Sequence, residues 1–93
     1  MYNLQQTGSF KKDLKVIKKR SLKDFELLRT FLLDLKQKGA FRIDNRYKAH
    51  KLSGKFSKYW ECHVKNDLLI IWLQSEDQNT ITLVRTGSHA DLF

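Results

Sequence analysis

The apolar positions of this chain change their period once, from helical spacing to strand alternation, and that change divides the molecule. Residues 2–6 mix polar and apolar side chains and predict a short edge strand. Gly8 and Ser9 open a helix, with Ser9 as the expected N-cap. Phe10, Leu14 and Ile17 follow at i, i+4 and i+7, a single apolar stripe, while Lys11, Lys12, Lys15, Lys18 and Lys19 take the other faces. Ser21 begins a second helix, and Asp24 three residues on makes an approximate capping box. Leu22, Phe25, Leu28, Leu32 and Leu35 keep the helical spacing until Gly39 ends it. Two amphipathic helices joined at Arg20-Ser21 form a helical hairpin.

Residues 39–48 show no period and read as a loop. From residue 59 the period is two: Tyr59, Glu61 and His63 share one face, and Trp60, Cys62 and Val64 the other. Asn66-Asp67 is a turn signal. Residues 68–73 are continuously apolar, which fits a central strand buried on both faces. After a second turn at 75–79, Ile81, Leu83 and Arg85 alternate with Thr80, Thr82 and Val84 in a last strand that stops at Gly87. Links this short force antiparallel pairing, because parallel crossovers need a dozen residues or more. The expected fold is α+β: a strand, a two-helix hairpin, then an antiparallel meander, in one domain spanning 1–93.

Composition narrows the class. A 93-residue chain supports one modest core. Its 41% hydrophobic and 30% charged content describes a folded chain, not a disordered one. No apolar run approaches the length of a membrane span, no secretory signal is visible at the first residues, and the lone Cys62 fits a reducing cytosol, so the expected location is cytoplasmic. The formal charge of +8 is lopsided. Residues 1–48 hold 13 Lys and Arg against 5 Asp and Glu, whereas residues 49–93 hold 5 of each. Such a field attracts nucleic acid, acidic protein segments or anionic lipid, although solubility alone would also explain it.

The three histidines lie in or beside the balanced half: His50, His63 and His89. Imidazole exchanges protons near neutral pH, and several imidazoles on a cationic body suggest acid–base chemistry on a phosphodiester. Glu61 and His63, two apart on a strand, share a face at a spacing of about 6.8 Å. Asp67 follows the turn and can fold back toward them. A carboxylate beside an imidazole fixes its tautomer, as an acid or base requires; the plainer alternative is a surface charge pair. His50 has Lys48 and Lys51 as neighbours, with Lys55 and Lys58 beyond. These cations disfavour a protonated imidazole and would grip phosphate, or they form only a solvated loop. Phe56, Tyr59 and Trp60 interleave with them, a pattern that permits base stacking. Arg85, the only Arg after residue 46, can hold a phosphate through two hydrogen bonds. His89 lies past Gly87 in a tail, where packing least needs an imidazole, and Phe93 follows it. No cofactor or metal is expected: Cys62 and His63 point to opposite faces of a strand, no paired-Cys spacing exists, and the four glycines are too scattered for a phosphate loop.

Taken in order, His50-Lys51-Leu52-Ser53-Gly54, Glu61-Cys62-His63, Asp67 with its apolar strand, and the run from Arg85 to Phe93 resemble the RelE/ParE superfamily of bacterial toxins, most closely its YafQ-like branch. The resemblance covers essentially the whole chain. It implies a RelE-like fold and a ribonuclease site made of His50, His63, Asp67, Arg85, His89 and Phe93. Beside that site, the residues themselves make Lys48, Lys51, Lys55, Lys58 and Glu61 the expected RNA contacts. The resemblance also implies cleavage of messenger RNA, typically in the ribosomal A site, and silencing by a small acidic antitoxin of the RelB/DinJ kind in a hetero-oligomer. Trp60 stands where the family commonly has Arg, Asn66 where it has Pro, and Trp72 where it has Tyr. Two rival functions stay open at this point: a ParE-like, non-enzymatic inhibitor of gyrase, and an RNA-binding module without catalysis.

Overall fold

The alternating half of the chain forms a five-stranded sheet, and the helical half covers one side of it. The computed structural model describes all 93 residues. Strand β1 (Asn3–Gln6) leads into α1 (Gly8–Arg20) and α2 (Leu22–Lys38); then come β2 (His50–Lys51), β3 (Trp60–Lys65), β4 (Leu68–Ser75), β5 (Thr80–Gly87) and a last turn of helix, α3 (His89–Leu92). The sheet order is β1-β5-β4-β3-β2. The meander from β2 to β5 is antiparallel, whereas β1 lies parallel to β5, a pairing made possible because the whole hairpin and meander intervene.

Several local expectations change. Thr7, not Ser9, caps α1: its hydroxyl oxygen accepts from the Phe10 N–H at 3.0 Å and donates to the Val84 carbonyl at 2.9 Å. That second bond ties the helix start to β5, a tertiary reward that Ser9 could not have offered. Ser21 does cap α2, accepting from the Asp24 N–H at 3.1 Å. Asp24 does not complete the box; its carboxylate instead meets Lys65 Nζ at 2.7 Å. Leu22, expected in the apolar stripe, is 62% exposed, and the buried stripe of α2 is Leu28, Phe31 and Leu35. Phe31 meets Tyr47 edge-on at 4.9 Å and lies 6.4 Å from Trp72. Residues 39–48, though irregular, are not a surface loop throughout: Ala40, Ile43 and Tyr47 enter the core. Gly39 starts that excursion at φ +68°, where a Cβ would lie 2.6 Å from the Tyr2 ring.

On its helix side the sheet presents Cys62, Ile70, Trp72, Ile81 and Leu83, all essentially inaccessible to water, to Phe10, Ile17 and the α2 stripe. Burial of each such side chain contributes about 1.5–3 kcal/mol. Trp60 stacks on Trp72 at 6.3 Å along the same side. The other side of the sheet has no helical layer, and the chemistry lies there.

Candidate active site

Register places the charged residues in a row. His50 on β2 pairs with Glu61 on β3, Glu61 with Ile71 on β4, and Ile71 with Arg85 on β5. Directly paired residues point to one face, so this row crosses the open side. A second row, His63–Leu69–Gly87, runs beside it. Simple alternation along β5 would have put Arg85 with Ile81 and Leu83 in the core. A bulge between Ile71 and Trp72 reverses it: Trp72 pairs with Leu83, but Ile71 pairs with Arg85, leaving Val84 as the extra residue. The Thr7 bond to the Val84 carbonyl holds that bulge in place.

Glu61 is the hub. Its side chain is only 7% exposed, and its Oε1 lies 3.4 Å from His50 Nε2 and 4.0 Å from His63 Nε2. A buried carboxylate needs polar partners, and here they are two imidazoles and no lysine or arginine. The His50 Nδ1–H donates to the Lys48 carbonyl at 2.7 Å, which orients the ring and leaves Nε2 as the proton-exchanging nitrogen. Lys48 itself has left-handed backbone at φ 53°, which turns its carbonyl to this task. The charge nearest His50 is therefore a carboxylate, not one of the lysines that its sequence neighbours suggested.

His89 arrives from α3. The Asp67 carboxylate accepts from its backbone N–H at 3.0 Å and faces its Nδ1 at 3.6 Å. The His63 and His89 rings are 6.2 Å apart, and Phe93 stands 5.9 Å beyond His89. The expected tail is thus a capped helical turn. Ser88 and Asp91 form a reciprocal capping box, and Asp91 also binds Arg20 of α1 at 2.9 Å. The Ser88 N–H and the Arg20 guanidinium hold the Asp91 carboxyl below the usual carboxylate range. Gly87 lets the chain turn here at φ +154°, where a Cβ would meet the Asp91 carboxylate at 2.9 Å.

Arg85 is not a free clamp. Its Nε and Nη2 bind both oxygens of Asp13, at 2.7 and 3.2 Å, and Asp13 also accepts from the Thr86 N–H at 3.1 Å. The bond to Asp13 raises the Arg85 pKa further above its ordinary value, so the guanidinium is always charged. Asp13 escaped the sequence reading because it lies 72 residues away on a helix crowded with lysines. Its one visible signal is that it is the only acid of α1.

The lysines divide. Lys51 Nζ lies 5.5 Å over the Trp60 ring and Lys55 Nζ 5.5 Å over Phe56, whereas none of Lys48, Lys51, Lys55 and Lys58 is in an ion pair. Lys48 lines a cleft with His63, whereas Lys51 and Lys58 line a separate one with Leu73, Gln74 and Thr82, away from the histidines. Cys62 takes no part; burial pushes its thiol far up, away from reactivity. No three His, Cys, Asp or Glu side chains gather closely enough to cage a metal ion, and no helix is long and apolar enough to cross a membrane.

A basic sheet-and-hairpin domain with three imidazoles, two carboxylates and a guanidinium on its uncovered face is built as a small polyanion-directed toxin of the RelE-like class. The family described as the bacterial toxin of type II toxin–antitoxin systems, YafQ, matches residues 2–93. The mRNA interferase toxin YafQ of Escherichia coli K12 is 31% identical over 91 residues, covering 98% of this chain and 95% of that protein. A metal-bound toxin from Helicobacter pylori superposes with a TM-score of 0.86 at 35% identity over the whole of both chains. A chain of the Escherichia coli DinJ–YafQ complex does so at 0.83 and 30% identity, over 100% of this chain and 99% of that one. The chain belongs to the YafQ family of type II toxins.

Proposed function

We propose that this toxin is an endoribonuclease that cuts messenger RNA by acid–base catalysis through the 2′-hydroxyl, and so stops translation in the cytoplasm. The single observation that carries this reading is the convergence of His50, Glu61 and His63 with His89 and Asp67, residues from two strands, a turn and a terminal helix, on one solvent-facing surface. RNA supplies its own nucleophile, so a base, an acid and a cation complete the reaction without a metal or cofactor. One imidazole takes the 2′-OH proton as oxygen attacks phosphorus. A second gives a proton to the departing 5′-oxygen. The products are a 2′,3′-cyclic phosphate, or its hydrolysed 3′-phosphate, and a 5′-hydroxyl.

His50 suits the base: Lys48 orients it, and Glu61 sits where an imidazolium would form. His89, more exposed and held by Asp67, suits the acid. Arg85, fixed by Asp13, keeps Nη1 unengaged to steady the charged phosphorane. Lys48 and Lys55 hold neighbouring phosphates, and the lysines of α1 serve the ribosome. A DinJ-like acidic antitoxin silences the protein, as the Escherichia coli complex suggests by its composition. The test is translation-coupled cleavage. Wild-type protein added to a translating extract should leave cut message with cyclic-phosphate and 5′-hydroxyl ends. Arrested growth with intact message and stalled DNA gyrase would replace this reading with the gyrase-inhibitor one.

A further inference from the structure

Beside the histidines, on the same open face, lies a cleft of about 210 Å³ that the acid–base chemistry does not use. Seven of its eight lining residues are hydrophobic, which sets it apart from the polar clefts elsewhere on the surface. Ile71 and the bulged Val84 come from the central strands. Leu52, Phe56 and Tyr59 come from the segment between β2 and β3, and Leu92 and Phe93 from the last turn. The eighth residue is Arg85, the guanidinium already placed beside the phosphate.

We infer that this cleft receives one nucleobase of the single-stranded RNA, from a nucleotide next to the cut bond, and so sets a nucleotide preference at that position. The inference rests on the ribonuclease reading above. Three observations select the occupant. The cleft is continuous with the reactive row through Arg85 and the Arg85–Ile71 pair, so a phosphate on the guanidinium leaves its own base within reach of the apolar surface. Its charges are all positive: Arg85 is in the lining and Lys55 stands over Phe56, with no acidic residue among the lining side chains. That sign fits a nucleotide, whose base is apolar on its faces and whose backbone is anionic. Lastly, Phe56 and Phe93 are 47% and 69% exposed, aromatic rings left open to water at the site where a π-face could cover them. The volume is below the roughly 300–1,000 Å³ typical of pockets for whole drug-sized ligands, which suits a single ring system.

The test maps cuts at nucleotide resolution in a translating extract, on reporter messages varied at each position around one cleavage site. Phe56→Ala removes a half-exposed ring and should leave the circular dichroism spectrum unchanged. It should lower the cleavage rate roughly 5- to 150-fold, the equivalent of about 1–3 kcal/mol per stacked base. It should also flatten the preference at one position flanking the cut, and Phe56→Tyr should restore both. If wild type cuts and Phe56→Ala keeps the same preference at every position, this inference fails and the ribonuclease reading survives. If Phe56→Ala instead spares cleavage and weakens antitoxin binding, the cleft belongs to a protein partner and the inference fails. Wild type that cuts no message at all removes the underlying reading, and this inference with it.

Discussion

The two faces of one sheet use the same strands for opposite ends. On the helix side, Trp60, Trp72 and Leu83 sit in register and stack against Phe31 and its neighbours. On the open side, one residue out of phase, His50, Glu61, Ile71 and Arg85 form the adjoining row. The first row is apolar, with Trp72 and Leu83 closed to water and Trp60 partly buried; the second is polar except for Ile71, with Glu61 and Ile71 buried and His50 and Arg85 accessible. Strand alternation therefore separates stability from chemistry at a cost of one residue of register, and a bulge is enough to move Arg85 from one to the other. Substitutions on the two faces should fail in different ways.

The sharpest break comes on the open face. His89→Ala should reduce cleavage by roughly 10²–10⁴-fold, the usual contribution of a general acid or base. Its spectrum and melting temperature should stay near wild type, because the side chain is mostly exposed and its backbone N–H still reaches Asp67. A folded His89→Ala protein that still arrests growth would sink the assignment. The matching break on the helix face is Trp72→Ala. Removal of that fully buried indole should destabilise the domain by about 3–5 kcal/mol, out of the 5–15 kcal/mol typical of a whole domain. Urea denaturation measures it. Unchanged stability would mean that the stacked pair with Trp60 does not hold the sheet.

Most of this division was legible in the sequence, because periods of 3.6 and 2 report burial directly. The buried central strand at 68–73, the turn at Asn66-Asp67 and the shared face of Glu61 and His63 follow from pattern alone. The missed features are those that depend on residues far apart. Thr7 outcompetes Ser9 as cap through a bond to Val84; Leu22 gives way to Phe31 because Trp72 and Tyr47 are there to receive it. The bulge that turns Arg85 outward has no local mark, since Leu83-Val84-Arg85 reads as plain alternation. The same holds for Asp13, whose meaning appears only when α1 crosses β5. Convergence of the three histidines was legible as chemistry but not as distance.

Asp13 links the two faces and allows a subtler test. Asp13→Asn keeps the shape, but its single amide oxygen can accept from only one of the two Arg85 donors, and its NH2 faces the other as a second donor. Cleavage should fall about ten- to thirtyfold, as expected for a loss of about 1.4–2 kcal/mol in positioning. Because Arg85 stays charged, the pH profile should keep its form. A rate equal to wild type would show that Arg85 acts without this anchor.

A smaller effect should follow on the outer surface of the hairpin, where Lys11, Lys15 and Lys18 make no ion pairs. If these touch ribosomal RNA, reversing their charge should flatten the salt dependence of ribosome association by up to roughly 0.9 in logarithmic slope per lost phosphate contact. Sedimentation at a series of salt concentrations reads this. An unchanged slope would move the contact to Lys51, Lys55 and Lys58 on the sheet.

The smallest effect concerns the joint that holds His89 over the open face. Asp91 binds the Ser88 N–H and Arg20, which lowers its pKa in the folded state. A carboxyl with a depressed folded pKa contributes stability above its unfolded pKa and loses it as pH falls through the folded one. Docking of the last turn should therefore be complete at neutral pH and loosen only in acid, below the ordinary carboxylate range. The ion pair is largely exposed, so the global melting temperature should barely move. Amide exchange across residues 88–93 is the sensitive measurement: protection should drop in acid for wild type and be low at every pH for Asp91→Asn. Activity alone would confuse changes at the reacting groups with loss of the joint. Gly87→Ala supplies an independent check, because its Cβ would press on the Asp91 carboxylate at neutral pH as well. If neither variant changes protection of the tail, then Asp67 alone, through the His89 N–H, holds the imidazole in place.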